Sequence, residues 1–430
     1  MKILICDDQD DRAEEVNGMV AQGIPGAEIT KLSGDELAGQ LKRLFERVTL
    51  RLDSPDNAAT TASLAFDNAD IALIDNNLTH LDIGGARLTA ESIIGYVRAF
   101  TSVPYIVSLN KNSDVDFDLR YLLGDYETRA DIALNTEHLR RPRLWVKAAG
   151  NLDDGFLPWY WPELSAAFVA RQEQIAFVQS SIDSTVFDKL GFPSDQDSLS
   201  FLSLHAMGAL YPPAEGVKGA PDGKSLAKVS FRDVFEGGRR SLPIELERKA
   251  ILDAAGRGNA LAIETIARVV AADVDHWMRR DVLGPQEMLV DLPHLLLRMP
   301  FLLGDGAADL TQWNRALALP WSPPFGTDST LFAEHVAGVR FAHAMWTSAP
   351  AFWWPQLKAN KILNELFFAS RSEQWKDAVF CEDVSEFRER TPTSGSTPAE
   401  FTAEFEGSWV MRHVARIDGI RYSPKTRFAV

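Results

Sequence analysis

Ile3, Leu4, Ile5 and Cys6 form an unbroken apolar run that stops abruptly at Asp7 and Asp8. Ile71, Ala72, Leu73 and Ile74 repeat the pattern and stop at Asp75. A short run with no polar alternation suits a strand covered on both faces, which is the condition of a parallel sheet. Val103-Pro-Tyr-Ile-Val-Ser108 reads as a further strand of this kind, and Ala130-Asp-Ile-Ala-Leu-Asn135 as a fifth. Ala27–Leu32 alternates and supplies the remaining strand.

Helical patterns fall between these runs. Asp10-Asp11 opens one, with apolar residues at helical spacing as far as Val20. Ser33-Gly-Asp-Glu opens a long amphipathic segment that runs to about Leu52. Leu88–Arg98 reads as a helix with Thr89 as N-cap and Glu91 in its first turn. Alternating strands and helices predict βαβ units and a doubly wound, parallel five-stranded α/β sheet. Right-handed crossovers bring every strand's C-terminal end to one edge, where such sheets place ligands. The acids collect on that edge.

Three carboxylates there, Asp7, Asp8 and Asp75, cannot all stay ionised without compensation. The usual remedy is a hard divalent cation, and all-oxygen ligation suits Mg²⁺. Such an ion can clamp a phosphoryl group while a carboxylate attacks it.

Ile3-Leu-Ile-Cys-Asp7-Asp8 and Ile71-Ala-Leu-Ile-Asp75-Asn-Asn-Leu are similar to the first and third strands of response-regulator receiver domains. The resemblance covers about residues 1–150. It implies a receiver-like (flavodoxin-like) fold, Asp75 as phosphoacceptor, Asp7 and Asp8 as the acidic pair, and the Asn77 carbonyl as third metal ligand. It also implies a histidine kinase as phosphoryl donor. Receivers carry Ser or Thr at the end of strand four, and here that place falls near Leu109, between Ser108 and Asn110. Receivers place Lys at the end of strand five, where this chain has Asn135. A fifth strand at Arg143-Leu-Trp-Val-Lys147 would restore it as Lys147, and Lys111 is a substitute from the neighbouring strand. The long loop Leu78–Thr89, with Gly84-Gly85, and the Phe117–Asp125 segment in place of an ordinary fourth helix resemble atypical receivers of bacterial conflict systems, including anti-phage two-component systems.

The chain has 430 residues, which at about 100–200 residues per domain leaves room for more than the receiver-like part. The expected division is 1–150 receiver-like, 151–225 connecting segment, and 226–430 a mainly α-helical C-terminal region. Trp159-Tyr-Trp-Pro-Glu163 precedes a helix at Leu164–Ile182, and Asn259–Arg280 is the longest helical pattern. Phe332–Trp346 and Gln356–Phe368 also read as helices, 211–223 and Thr391–Pro398 as loops, and Trp409–Val430 as one or two short strands. The aromatic group Trp346, Phe352-Trp-Trp-Pro355, Phe367-Phe368 and Trp375 reads as core, with a partner-binding surface as the alternative.

Effector chemistry is not legible in this region. No Gly-x-x-x-x-Gly-Lys, His-Glu-x-x-His or Gly-x-Ser-x-Gly motif occurs. Glu264–Arg268 and Asp273–His276 read as surface pairs, His205 and His294 as core groups, and His335 and His343 lie two turns apart. A formal charge of -16 opposes nucleic-acid or anionic membrane partners. Arg140–Lys147 is the densest basic stretch and reads as a solvated loop leading into a strand. Two cysteines, Cys6 and Cys381, exclude a disulfide framework. The absence of a leading apolar stretch or a span of ~20 apolar residues predicts a cytoplasmic protein. The functional expectation is a two-component receiver that signals through a partner regulator or itself, in one form a phosphate sink without catalytic output. The alternatives are a receiver-controlled enzyme and a degenerate scaffold.

Overall fold

A computed structural model describes residues 1–53, 62–81, 89–110, 128–146, 163–191, 208–210, 228–237, 245–282, 288–289, 292–317, 346, 352–353, 361, 365, 376–381, 386–389, 396–398 and 412–415. The N-terminal strands are β1 (Lys2–Asp7), β2 (Glu28–Ser33), β3 (Ile71–Asp75), β4 (Tyr105–Asn110) and β5 (Ile132–Asn135). They form one sheet in the order β2-β1-β3-β4-β5, and every neighbouring pair is parallel. β3 is buried along its whole length and β1 except at Lys2, as continuous apolar runs require. β2 is an edge strand, and only Leu32 of its six residues is fully buried.

The connecting helices are α1 (Asp10–Gly23), α2 (Gly34–Asp53) and α3 (Ala90–Phe100). Thr89 caps α3 as its sequence position predicts, its Oγ1 accepting from Ser92 N at 3.2 Å. α1 begins at Asp10 behind Gln9, whose side chain makes no cap, so Asp10 and Asp11 act on the helix dipole from its first turn. The chain leaves β1 for β2 on one side and returns past β1 to β3. Right-handed crossovers therefore set α1 and α2 on opposite faces, and α2 packs beside α3.

The stretch after β5 corrects one expectation. Pro142–Trp145 is a short helix, α4, so the alternative fifth strand at 143–147 does not form. Pro142 at the first helical turn and the burial of Leu144 and Trp145 favour this. A 3-10 turn at Thr136–Arg140 precedes it, so the basic stretch is not a loop running into a strand. Trp145 Nε1 donates to Leu139 O at 2.8 Å, and Gly23 of α1 fits against both residues with no space for a Cβ.

The remainder is chiefly helical: α5 (Leu164–Ser180), α6 (Val186–Leu190), α7 (Phe231–Gly237), α8 (Glu245–Gly256), α9 (Ala260–Trp277), α10 (Leu292–Arg298) and α11 (Leu310–Leu317). α9 is capped by Asn259, whose Oδ1 accepts from Ala262 N at 3.0 Å, and ends in a π turn, Met278–Val282. β6 (Met288–Leu289) pairs with β7 (Phe352–Trp353). A small mixed sheet, which the sequence suggested only at its last strand, joins β8 (Ala378–Cys381), β9 (Glu386–Glu389), β10 (Ser396–Pro398) and β11 (Arg412–Ala415). No helix among the described residues is long and apolar enough to cross a membrane.

One continuous apolar core joins the parallel sheet to α5–α9. It runs from Ile5, Leu73 and Val107 through Leu164, Val178, Phe231 and Val270 to Trp346. Phe177 of α5 meets Phe231 and Trp346 edge-on, each at 6.1 Å between ring centroids. Trp346 is thus a core residue, while most of the aromatic group around it lies outside the described residues.

In each of the two charge pairs read as surface features, one member is buried in this interior while Glu264 and Asp273 stay partly exposed. Arg268 is 4% exposed and donates to Arg98 O at 3.2 Å and Ala99 O at 2.8 Å, besides pairing with Glu264. His276 is buried as well. A guanidinium at the negative end of α3 satisfies carbonyls that the helix cannot. Nearby, Arg171 of α5 links Asp131 and Asp275, with Arg98 on Asp131 (3.1 Å) and Arg279 on Asp275 (3.1 Å). Asp131 Oδ2 also accepts from Ile106 N at 2.6 Å, which ties the network to β4.

Candidate metal centre

The sheet order reverses direction between β1 and β3, the place where open α/β sheets leave a crevice at their C-terminal edge. The register pairs Cys6 with Ile74, so Asp7 and Asp75 stand level at the ends of adjacent strands and Asp8 follows at once. The three side chains offer carboxylate oxygens that all lie within 4.8 Å of one another. Asp7, Asp8 and Asp75 are 1%, 7% and 2% exposed. Acids placed so close and so deep are costly unless a cation or hydrogen bonds offset the charge.

Hydrogen bonds offset part of it. Asp7 Oδ1 accepts from Gln9 N at 3.0 Å, and Asp8 Oδ2 from His80 N at 2.9 Å. The second bond draws the loop after Asp75 over the acids, and buried Leu78 holds that loop down. Asp8 Oδ1, in contrast, is buried and has no hydrogen-bond partner. No basic side chain among the described residues pairs with Asp8. Three clustered carboxylates with an unmet buried oxygen suit a hard divalent cation, and they can hold a metal ion. Cys6, directly below, is no competing ligand, because burial first and the Asp7 charge second raise its thiol pKa.

Asn77 sits two residues beyond Asp75 in the exposed part of the same loop, and its Oδ1 accepts from Thr79 Oγ1 at 2.9 Å. The β3–β4 ladder runs without a bulge from Ile71↔Tyr105 to Asp75↔Leu109. Leu109 therefore stands at the level of Asp75, and its carbonyl accepts from Asn76 N at 2.9 Å. Ser108 is buried one step lower, beside Ile74, while Asn110 is one step higher, beside Asn135 of β5. The two asparagines thus end adjacent strands on the edge that carries the acids. Lys111, Lys147, His205, His335, His343 and the 117–125 segment lie outside the described residues, as does the side chain of His294.

Sequence reasoning located the three acids but missed the His80 amide, because a backbone donor leaves no mark in residue type. The buried arginines were missed because Glu264–Arg268 spacing is equally that of a solvated helix face. Comparison of the chain with protein-family models, curated proteins and solved structures finds no match in any of the three.

Proposed function

We propose that this protein is a phosphoryl-accepting receiver of a two-component system, with Asp75 as acceptor and a histidine kinase as donor. The observation that carries the reading is the buried Asp7, Asp8 and Asp75 cluster at the switch point of a parallel β2-β1-β3-β4-β5 sheet. In this reading Asp8, Asp75 and the Asn77 carbonyl hold Mg²⁺ and Asp7 acts through water. A bound divalent cation supplies charge neutralisation for an incoming phosphoryl group.

The chain's own part follows from position. A carboxylate oxygen of Asp75 attacks phosphorus, the new O–P bond forms as the donor's N–P bond breaks, and the electron pair returns to the imidazole nitrogen, which takes a proton. The product is an acyl phosphate at the sheet edge. Asn110 and Asn135 end β4 and β5 on the same edge, and Asn135 falls where receivers carry a lysine, so the contacts offered to a phosphoryl group there would differ from theirs. The resulting conformational shift would be correspondingly altered.

Intact-mass measurement after incubation with Mg²⁺ and acetyl phosphate, repeated with phosphorylated cognate kinase, tests this. One added phosphoryl group on the wild-type chain and none on Asp75→Ala is expected. No gain from either donor overturns the reading in favour of a scaffold.

The continuous core favours one form of this function. Helices α5–α9 share the core of the receiver-like sheet, which supports a receiver that acts by contact and drains phosphate from a shared kinase. A partner regulator in the same conflict system would then lose phosphorylation when this protein is added, and unchanged labelling would count against the sink.

A further inference from the structure

The C-terminal end of α3 is enclosed by arginines. Arg47 of α2 donates to Phe100 O at 3.0 Å and pairs with Asp67 at 2.7 Å, while Arg268 serves Arg98 O and Ala99 O and pairs with Glu264. Arg51, one turn beyond Arg47 on α2, joins the same group with nothing left for it. Its Nε and Nη1 are both buried and have no hydrogen-bond partner. Burial, then the charges of Arg268 and Arg47, push its pKa down to about 10 against an ordinary 12.5. Three guanidinium groups thus face two carboxylates, and the surplus sits on Arg51.

Arg51 lines a cleft, partly open to solvent, between α2, the end of α3 and the α8–α9 pair. The other walls are largely apolar, from Leu52, Phe100, Ile251 and Leu261, with Asn259 and Thr265 as polar groups. The positive end of the 18-residue helix α9 lies at the same cleft. Buried donors left unmade cost about 1–3 kcal/mol, more when charged, and call for an explanation such as an ion or ligand. A guanidinium matches a carboxylate in shape and charge, and the apolar walls ask for hydrocarbon beside it.

We propose that this cleft is a binding site for a small organic carboxylate, its charged group on Arg51 and its apolar part against Leu52, Phe100, Ile251 and Leu261. The site is separate from the acid cluster and does not depend on it. Calorimetric titration of the full chain with butyrate tests it, with butyramide and inorganic phosphate as comparators. Saturable binding of butyrate is expected, with butyramide and phosphate at least tenfold weaker. Arg51→Gln removes no hydrogen bond of the folded chain and should weaken butyrate at least tenfold. Ile251→Trp, which fills the cleft, should abolish binding while Asp75→Ala leaves it unchanged. Absence of butyrate binding, equal binding by Arg51→Gln, or preference for phosphate would each overturn the assignment.

Discussion

Asp8→Asn removes one negative charge from the cluster and leaves its shape almost intact. The acids lie no more than 4.8 Å apart, where two ionised carboxylates at an effective dielectric constant of ~20 repel by at least about 3.5 kcal/mol. Asp8 belongs to two of the three pairs, so the Coulomb repulsion it takes part in is at least about 7 kcal/mol. Rearrangement of water and of the nearby amide dipoles consumes most of that, leaving an expected gain of about 2 kcal/mol in folding stability. The asparagine oxygen can still accept from His80 N, so that bond does not offset the gain. Thermal unfolding in EDTA should therefore show a higher midpoint for Asp8→Asn than for wild type. Adding Mg²⁺ should reverse the order. A cation at a hundred times its dissociation constant stabilises the wild-type chain by about 2.7 kcal/mol, and the variant, short of one ligand, should gain little. A variant that is less stable in EDTA, or that keeps the full Mg²⁺ gain, would refute the idea that these acids are held in mutual repulsion for a cation.

Other parts of the molecule give further tests. Gly23→Ala drives a Cβ into Leu139 O and the Trp145 indole, so a loss of about 3 kcal/mol is expected in denaturant unfolding. Gly18→Ala on the same helix meets nothing within 4 Å and should gain up to about 1 kcal/mol. Arg268→Met leaves the Arg98 and Ala99 carbonyls without their donor and should cost about 3 kcal/mol, seen as faster hydrogen exchange at the α3–α9 contact. His138 has its pKa pushed down to about 4, by burial first and then by Arg141. Protonation therefore favours the unfolded chain. The stability present above pH ~6.5 is lost as pH falls towards 4, by at most about 3 kcal/mol. A pH titration of unfolding free energy should be flatter over that window for His138→Gln, and an unchanged slope would contradict it.

Much of the N-terminal architecture can be read from residue order alone. Unbroken apolar runs closed by acids suit strands covered on both faces that end at a sheet edge, so β1, β3 and their edge were visible before any coordinates. Thr89 at the start of α3 was equally plain, because capping depends on a few neighbouring residues. Tertiary structure alone decided the rest. Val103–Ser108 and Tyr105–Asn110 differ by two residues of strand; the sequence already put the level of Asp75 near Leu109, and only the bulge-free ladder with β3 rules out a shift to Ser108 or Asn110. The choice between Asn135 and Lys147 depended on whether Arg143–Lys147 extends or coils, and the burial of Leu144 and Trp145 against α1 settles that it coils. Arg171, Arg268 and Arg51 carry the same residue code whether solvated or interior. Their burial depends on where α5, α8 and α9 dock on the sheet, and docking is set by contacts between residues more than a hundred positions apart, which local sequence does not encode.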